Sequence, residues 1–310
     1  MHSPPPCSNV QNLASGIRLG CLAPTETGTA PTMAAEDHAT GNRVQLGGTF
    51  LREAVIIASG VLVYFGVRGI TKGDRAEAYA NARHVAGFEH HVGIDIEHQL
   101  QHAVVSSDTW ATIANWIYIY GHWPVIITAL ILLQRYRPDR YWLLRTAMFI
   151  SGLVGFAFFM FTPMAPPRFV DPSIVDTVTM RSEGYRVLQP PQLANLYASM
   201  PSLHAGWNML VGIAVFGATK RRFLRAWAVV FPVLMAWAVV VTGNHYVIDV
   251  VVGEMVALSG YFGAYVIRAR RTAIVKQHEL QHRVRDRPSG RKQPPVRSWS
   301  LRGRRIRRRS

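Results

Sequence analysis

The chemistry available to this chain is concentrated in two histidines and an aspartate. His245 and Asp249 stand four residues apart in Gly243-Asn244-His245-Tyr246-Val247-Ile248-Asp249, and on a helix that spacing puts both side chains on one face. A carboxylate beside an imidazole fixes its tautomer and leaves the other ring nitrogen available as a nucleophile. His204 closes Ser199-Met200-Pro201-Ser202-Leu203-His204 and is the residue type that protonates a leaving oxygen. Arg168, after Thr162-Pro163-Met164-Ala165-Pro166-Pro167, and Ser202 would hold phosphoryl oxygens. The scheme is attack by His245 on phosphorus, a phosphohistidine intermediate, and transfer to water or an alcohol. Such transfers rest chiefly on positioning and charge stabilisation. No clustered carboxylates of the kind that hold Mg²⁺ are evident, so the expectation is no metal and no cofactor.

Each motif alone has a plainer reading. A histidine at a membrane interface is commonly a polar belt residue, and a His/Asp pair is commonly a structural hydrogen bond. What favours chemistry is that all of them are expected on one side of one set of helices. Crossing ~30 Å of hydrocarbon takes roughly 20 apolar residues. Six segments qualify: 48–67, Trp110–Leu133, Trp142–Phe161, 201–218, Phe223–Thr242 and Val247–Ile267. The fold class is therefore all-α, a polytopic membrane protein with six transmembrane helices. The fourth and sixth spans run in the same direction, with Ser199 as N-cap of the fourth. Their N-termini offer free N–H groups and a positive dipole end to a phosphate.

Arg135, Arg137 and Arg140 lie between spans two and three, and Lys220, Arg221 and Arg222 between four and five. Positive loops stay inside, so both termini are cytoplasmic and the site is extracytoplasmic, at the plasma membrane. The first loop, with Arg68, Lys72, Arg75 and Arg83, is discordant but long and mixed in charge. Within it, Tyr79, Val85, Phe88, Val92, Ile96 and Leu100 recur at mostly three- and four-residue steps. This predicts one extracytoplasmic interfacial helix from Arg75 to His102. His98 and His102 sit at metal-ligand spacing, but no third ligand is placed to join them, and a solvated face is the simpler reading. His122 reads either as a packed polar residue or as a cavity wall. Asn208 is placed to orient His204, Trp207 to pack, and Glu254 to bond between helices.

The ends differ from this core. Residues 1–46 are polar, carry Cys7 and Cys21 without zinc spacing or a promise of a disulfide, and include Met33 as an alternative start. They read as a disordered tail before a domain at 47–267. From Arg268 to Ser310, 16 Lys/Arg against two acids give +14 of the chain's +16. That segment reads as a disordered basic cytoplasmic tail. It reads either as a stop-transfer and orientation signal or as a surface for anionic lipid headgroups. No nucleic-acid recognition fold accompanies it.

The motifs together resemble the type-2 phosphatidic acid phosphatase superfamily, over roughly residues 75–267, and within it the branch of inositol phosphotransferases acting on lipids. Pro-Ser-Leu-His (201–204) looks like the second family motif, Asn-His-Tyr-Val-Ile-Asp (244–249) like the third, and Ala-Pro-Pro-Arg (165–168) like this branch's first. The resemblance implies His245 as nucleophile, Asp249 as its orienter and His204 as general acid. Two positions depart from the broader pattern. Val239 stands where an arginine is usual, and no lysine lies between Trp142 and Arg168. Arg168 is then the main cationic clamp, aided by Arg181 or Arg186. The expectation is a lipid-phosphate phosphatase or phosphotransferase, including transfer of a phospho-polyol headgroup to a lipid alcohol. The rivals from other classes are an anion or lipid transporter and a non-catalytic membrane scaffold. The sequence fixes no oligomeric state.

Overall fold

The computed structural model describes residues 51–60, 62, 66, 74–181 and 195–285. The chain divides into units 1–57 and 58–310. In the first, the described residues, 51–57, are helical. The N-terminal tail 1–46, with Cys7, Cys21 and Met33, falls outside the described residues, as do parts of the predicted first span.

The second unit is helical, with no named strand among the described residues. Its elements are α1 (Arg75–Val92), α2 (Glu97–Val105), α3 (Asp108–Tyr120), α4 (Trp123–Tyr136), α5 (Pro138–Phe161), the short α6 (Pro167–Val170) and α7 (Thr177–Arg181), α8 (Leu203–Ala218), α9 (Arg222–Val241) and α10 (Val247–Arg285). Among the described residues three helices, α5, α9 and α10, are long and apolar enough to cross a membrane. A fourth span exists if α3 and α4 are counted as one, bent by 46°. The described residues thus account for three or four of the six predicted spans. The predicted span 110–133 is broken at Gly121 and His122, and α8 is apolar but has only 16 residues. Apolar side chains that stay exposed, such as Trp116, Leu153, Phe161, Val233 and Phe262, give these helices the outward faces that hydrocarbon accepts.

Two further expectations change. The predicted interfacial helix is two helices: α1 ends in a left-handed turn at Gly93 (φ +76°), and α2 restarts at Glu97. The sixth span continues to Arg285, so residues 268–285, expected as disordered tail, are helix. Arg, Ala, Gln, Lys, Glu and Leu make up most of this stretch, and summed over several turns their helix propensity outweighs net charge. Residues 286–310 lie outside the described residues.

α5 packs along α10, and α8 is enclosed by α9, α10, α5 and α4. The crossing of α8 with α10 is built on glycine. A Cβ on Gly206 would lie 2.4 Å from the carbonyl oxygen of Gly253, and one on Gly253 would lie 2.2 Å from that of Ser202. Only bare backbone permits this approach, and it lets the Ser202 N–H donate across to the Asp249 carbonyl at 2.9 Å. Side-chain amides secure the loops over the helix ends. Gln101 donates to the carbonyls of Val175 (2.9 Å) and Val241 (3.1 Å) and accepts from the Val175 N–H. Asn115 donates to the Thr177 carbonyl and Asn81 to that of Pro163.

Candidate active site

The turn from α9 to α10 carries the first part of the site. Gly243 takes a positive φ of +70°, a conformation open to glycine, and its carbonyl accepts from the backbone N–H of Arg168 (3.3 Å). His245 precedes the first residue of α10, so the turn contributes to the pairing with Asp249 that regular helix was expected to supply. The Asp249 carboxylate folds back: its Oδ2 accepts the Tyr246 N–H at 3.0 Å and lies 3.4 Å from His245 Nδ1. Both side chains are buried, with Asp249 fully enclosed. A carboxylate beside Nδ1 holds the ring proton there and leaves Nε2 with its lone pair.

Ser199 completes this pair and was not expected in that role. Its hydroxyl donates to Asp249 Oδ2, lies 3.4 Å from His245 Nδ1 and 3.1 Å from the Asn244 carbonyl. It does not cap α8: the N-cap position is Ser202, which makes no side-chain cap bond. Ser199 is fixed by a two-strand contact, with Ser199 N donating to the Met164 carbonyl (3.2 Å) and Met164 N to that of Tyr197 (2.7 Å). The sequence signal was present, since Ser199 begins the motif that ends in His204.

His204 lies in the first turn of α8. Its ring centroid is 6.3 Å from that of His245. Tyr118 stacks on it at 4.6 Å, and His122 packs against it at 4.1 Å. The α3–α4 break thus places His122 beside His204, buried, and next to Trp207, whose ring stacks on it at 5.9 Å. Asn208, expected to orient His204, reaches only its backbone carbonyl and instead contacts the His122 ring. Its amide nitrogen donates to the His204 carbonyl (2.9 Å) and lies 3.1 Å from His122 Nδ1. Trp207 packs and also donates to Ser151 Oγ at 3.2 Å. Glu254, expected to bond between helices, makes no hydrogen bond among the described residues.

Arg168 reaches the same place from α6. Its Nη1 donates to Asn244 Oδ1 (2.6 Å) and the Gly243 carbonyl (3.2 Å), while Nε lies 3.2 Å from Asp176 Oδ2. Nη2 makes no hydrogen bond among the described residues. Asn244 and Asp176 were missed by the sequence reading; the only hint was the place of Asn244 beside His245. The side chain of Arg181 and residue Arg186 lie outside what is described.

Arg168, Ser199, His204, Asn244 and His245 line one cavity of about 60 Å³, with Tyr118, Phe159, Leu196 and Leu203 among its apolar walls. At ~10–15 Å³ per water-sized group, that is room for roughly four to six such groups, the scale of a phosphoryl with its oxygens. Among the described residues no carboxylate lines it. Ser202 does not line it either; its hydroxyl is fully buried without a hydrogen-bond partner. The start of α10 is also not an open anion site. Its first amides are filled by carboxylates: Tyr246 N by Asp249, Val247 N by Glu97 Oε1 (2.9 Å) and Ile248 N by Glu89 Oε1 (2.7 Å).

A sequence model of the PAP2 superfamily matches residues 83–262, more than half of the chain, and the stretch holds every residue of the cavity. No curated protein and no solved structure matches the chain.

Proposed function

The chain belongs to the PAP2 superfamily, and on that premise we propose that it is a membrane phosphatase or phosphotransferase that handles lipid-linked phosphate through a phosphohistidine. Membership supports phosphatase-type work on phosphate esters. The observation that carries the finer reading is the convergence of His245 and His204, 6.3 Å apart between ring centroids, on a cavity that also receives Arg168.

His245 Nε2 attacks phosphorus, and the N–P bond forms as the ester P–O bond breaks. The leaving oxygen takes a proton from His204. Water or an alcohol then enters, gives its proton back to His204, and its oxygen forms the new P–O bond as the N–P bond breaks. Asp249 and Ser199 hold Nδ1 throughout. Arg168 neutralises the equatorial oxygens, with Nη2 as the arm to the substrate. Ser202 would need to turn to reach a phosphoryl oxygen, so Asn244 and Ser199 are the better polar neighbours. The donor set suits this metal-independent route: two imidazoles and a guanidinium in the wall, with no carboxylate among the described lining residues.

Lipid linkage is favoured by the site's place in the helices. Val247 and Arg268 are separated along α10 by roughly 30 Å at 1.5 Å per residue, about one hydrocarbon thickness. Arg268 lies beside Asp139, near Arg137 and Arg140. That basic end marks the cytoplasmic side. The site then opens outward at the plasma membrane, with both termini inside.

Hydrolysis and transfer of a phospho-polyol to a lipid alcohol differ only in the acceptor admitted. Purified protein in EDTA, given a panel of lipid phosphates with and without a polyol or lipid alcohol, separates the two by product. Phosphate release or transfer is expected for the wild type and none for His245→Ala. Equal turnover by the mutant would refute the mechanism. Uptake of phosphate into vesicles without ester cleavage would favour the transporter reading.

A further inference from the structure

Three carboxylates fill the first amides of α10, and only Asp249 belongs to the proposed mechanism. The other two come from different helices. Glu89 sits near the end of α1, Glu97 at the start of α2, and the left-handed turn at Gly93 between them sets the two side by side. There the Gly93 N–H donates to the His90 carbonyl and the Ile94 N–H to the Glu89 carbonyl. Each reaches more than 140 residues along the chain to a neighbouring amide, Glu97 to Val247 and Glu89 to Ile248. Those amides lie between His245 and Asp249.

Both carboxyls are buried, Glu89 wholly; among the described residues no N–H or hydroxyl donor reaches Glu89 Oε2, and its carboxyl lies against that of Glu97. Neither forms an ion pair with a Lys, Arg or His among the described residues. The charged groups facing Glu89 are Glu97 and Asp249, all of one sign, and the Tyr246 hydroxyl is close enough to feel all three. Like charges enclosed together do not all ionise. Burial, with Glu97 and Asp249 nearby, pushes the Glu89 carboxyl up to about 8.

We propose that Glu89 and Glu97 are positioning residues for the His245–Asp249 pair, capping the backbone on which both are mounted. The arrangement spares the helix start an uncovered amide without adding two full negative charges beside a group that must accept a phosphoryl. This inference rests on the reading of His245 as nucleophile.

The test uses full-length protein in phosphatidylcholine nanodiscs, as wild type, Glu89→Gln, Glu89→Leu and Glu97→Ala. Two readouts need no turnover: the infrared band of a protonated carboxyl at neutral pH, and amide exchange of the peptide spanning 244–250. The third is kcat and KM on phosphatidic acid. The wild type should show the carboxyl band, and Glu89→Gln should lose it. Glu89→Leu should speed exchange and lower kcat, each at least tenfold, with KM within twofold. Glu89→Gln, which keeps an oxygen acceptor and no charge, should bring both back to within threefold of wild type. Should Glu89→Leu not fold, Glu97→Ala decides the same point through Val247 exchange and kcat. Unchanged exchange and kcat in the folded variants, a glutamine variant as impaired as leucine, or no carboxyl band in the wild type would each overturn the proposal. A wild type that cleaves no phosphate ester would instead defeat the functional reading, while exchange and infrared still decide the cap.

Discussion

Replacing Gly253 by alanine puts a methyl carbon 2.2 Å from the carbonyl oxygen of Ser202 and 2.9 Å from its nitrogen. Both are backbone atoms, so no side chain can swing aside. Relieving the contact to 3.0–3.4 Å means moving α8 away from α10 by about 1 Å. Such a shift breaks the Ser202-to-Asp249 backbone bond and withdraws His204 from His245. A misplacement of ~1 Å costs on the order of 10²-fold in rate, equivalent to about 2.7 kcal/mol of transition-state stabilisation. Overpacking a close crossing costs roughly 1–3 kcal/mol of stability, which most membrane helices tolerate without unfolding. The assay is kcat on a lipid phosphate, with helicity and thermal midpoint measured on the same preparation. Gly263→Ala is the control: its added carbon would meet only the end of the Ile150 side chain, at 3.2 Å, so activity should stay within about twofold. A Gly253→Ala enzyme that is folded and has wild-type kcat would show that the crossing does not set the distance between the two histidines.

Arg168→Lys should raise KM by roughly tenfold or more, because lysine cannot keep Asn244, Asp176 and a phosphoryl oxygen at once; steady-state kinetics on phosphatidic acid measure it. Stability should fall as pH rises from about 5 to about 8. The folded Glu89 holds its proton up to about 8 while the unfolded group releases it near 4.5, so the folded state binds more protons across that window and loses its advantage as pH climbs. Thermal midpoints against pH should show the decline, and Glu89→Gln should flatten it. A cysteine placed by Ser173→Cys, on an exposed loop beside the site, should react with an impermeant thiol reagent on intact cells; reaction only after permeabilisation would invert the proposed orientation.

The His/His/Asp constellation was legible because its members lie in two short motifs whose spacing has local meaning. The helical class was legible from apolar blocks long enough to see one at a time. What escaped notice depends on distant partners. Glu89 and Glu97 look like charges on a solvated helix, and nothing within ten residues of either hints at an amide at Val247 or Ile248. The predicted span through 110–133 bends by 46° at its middle, because an apolar run reports burial and not straightness. His122, with φ −90° and ψ −86°, turns the chain even though its neighbours stay hydrophobic. α8 begins at Leu203 and not at Pro201 because Ser199 is already committed to Met164 and to Asp249. The helical reach to Arg285 was hidden by composition, because its arginines were counted as charge and not as the good helix formers they also are.

That reach changes what the basic segment can touch. A string of arginines could lie flat and bring every cation to the lipid headgroups; a continuous helix cannot. At ~1.5 Å per residue, Lys276 stands about 7 Å farther along the axis than Arg271, and His282 about 16 Å. Attraction to anionic lipid fades over ~8 Å at physiological salt. If α10 crosses the bilayer as proposed, only Arg268, Arg270 and Arg271 stand close enough to feel an anionic surface, and the later turns would project beyond it as a stalk.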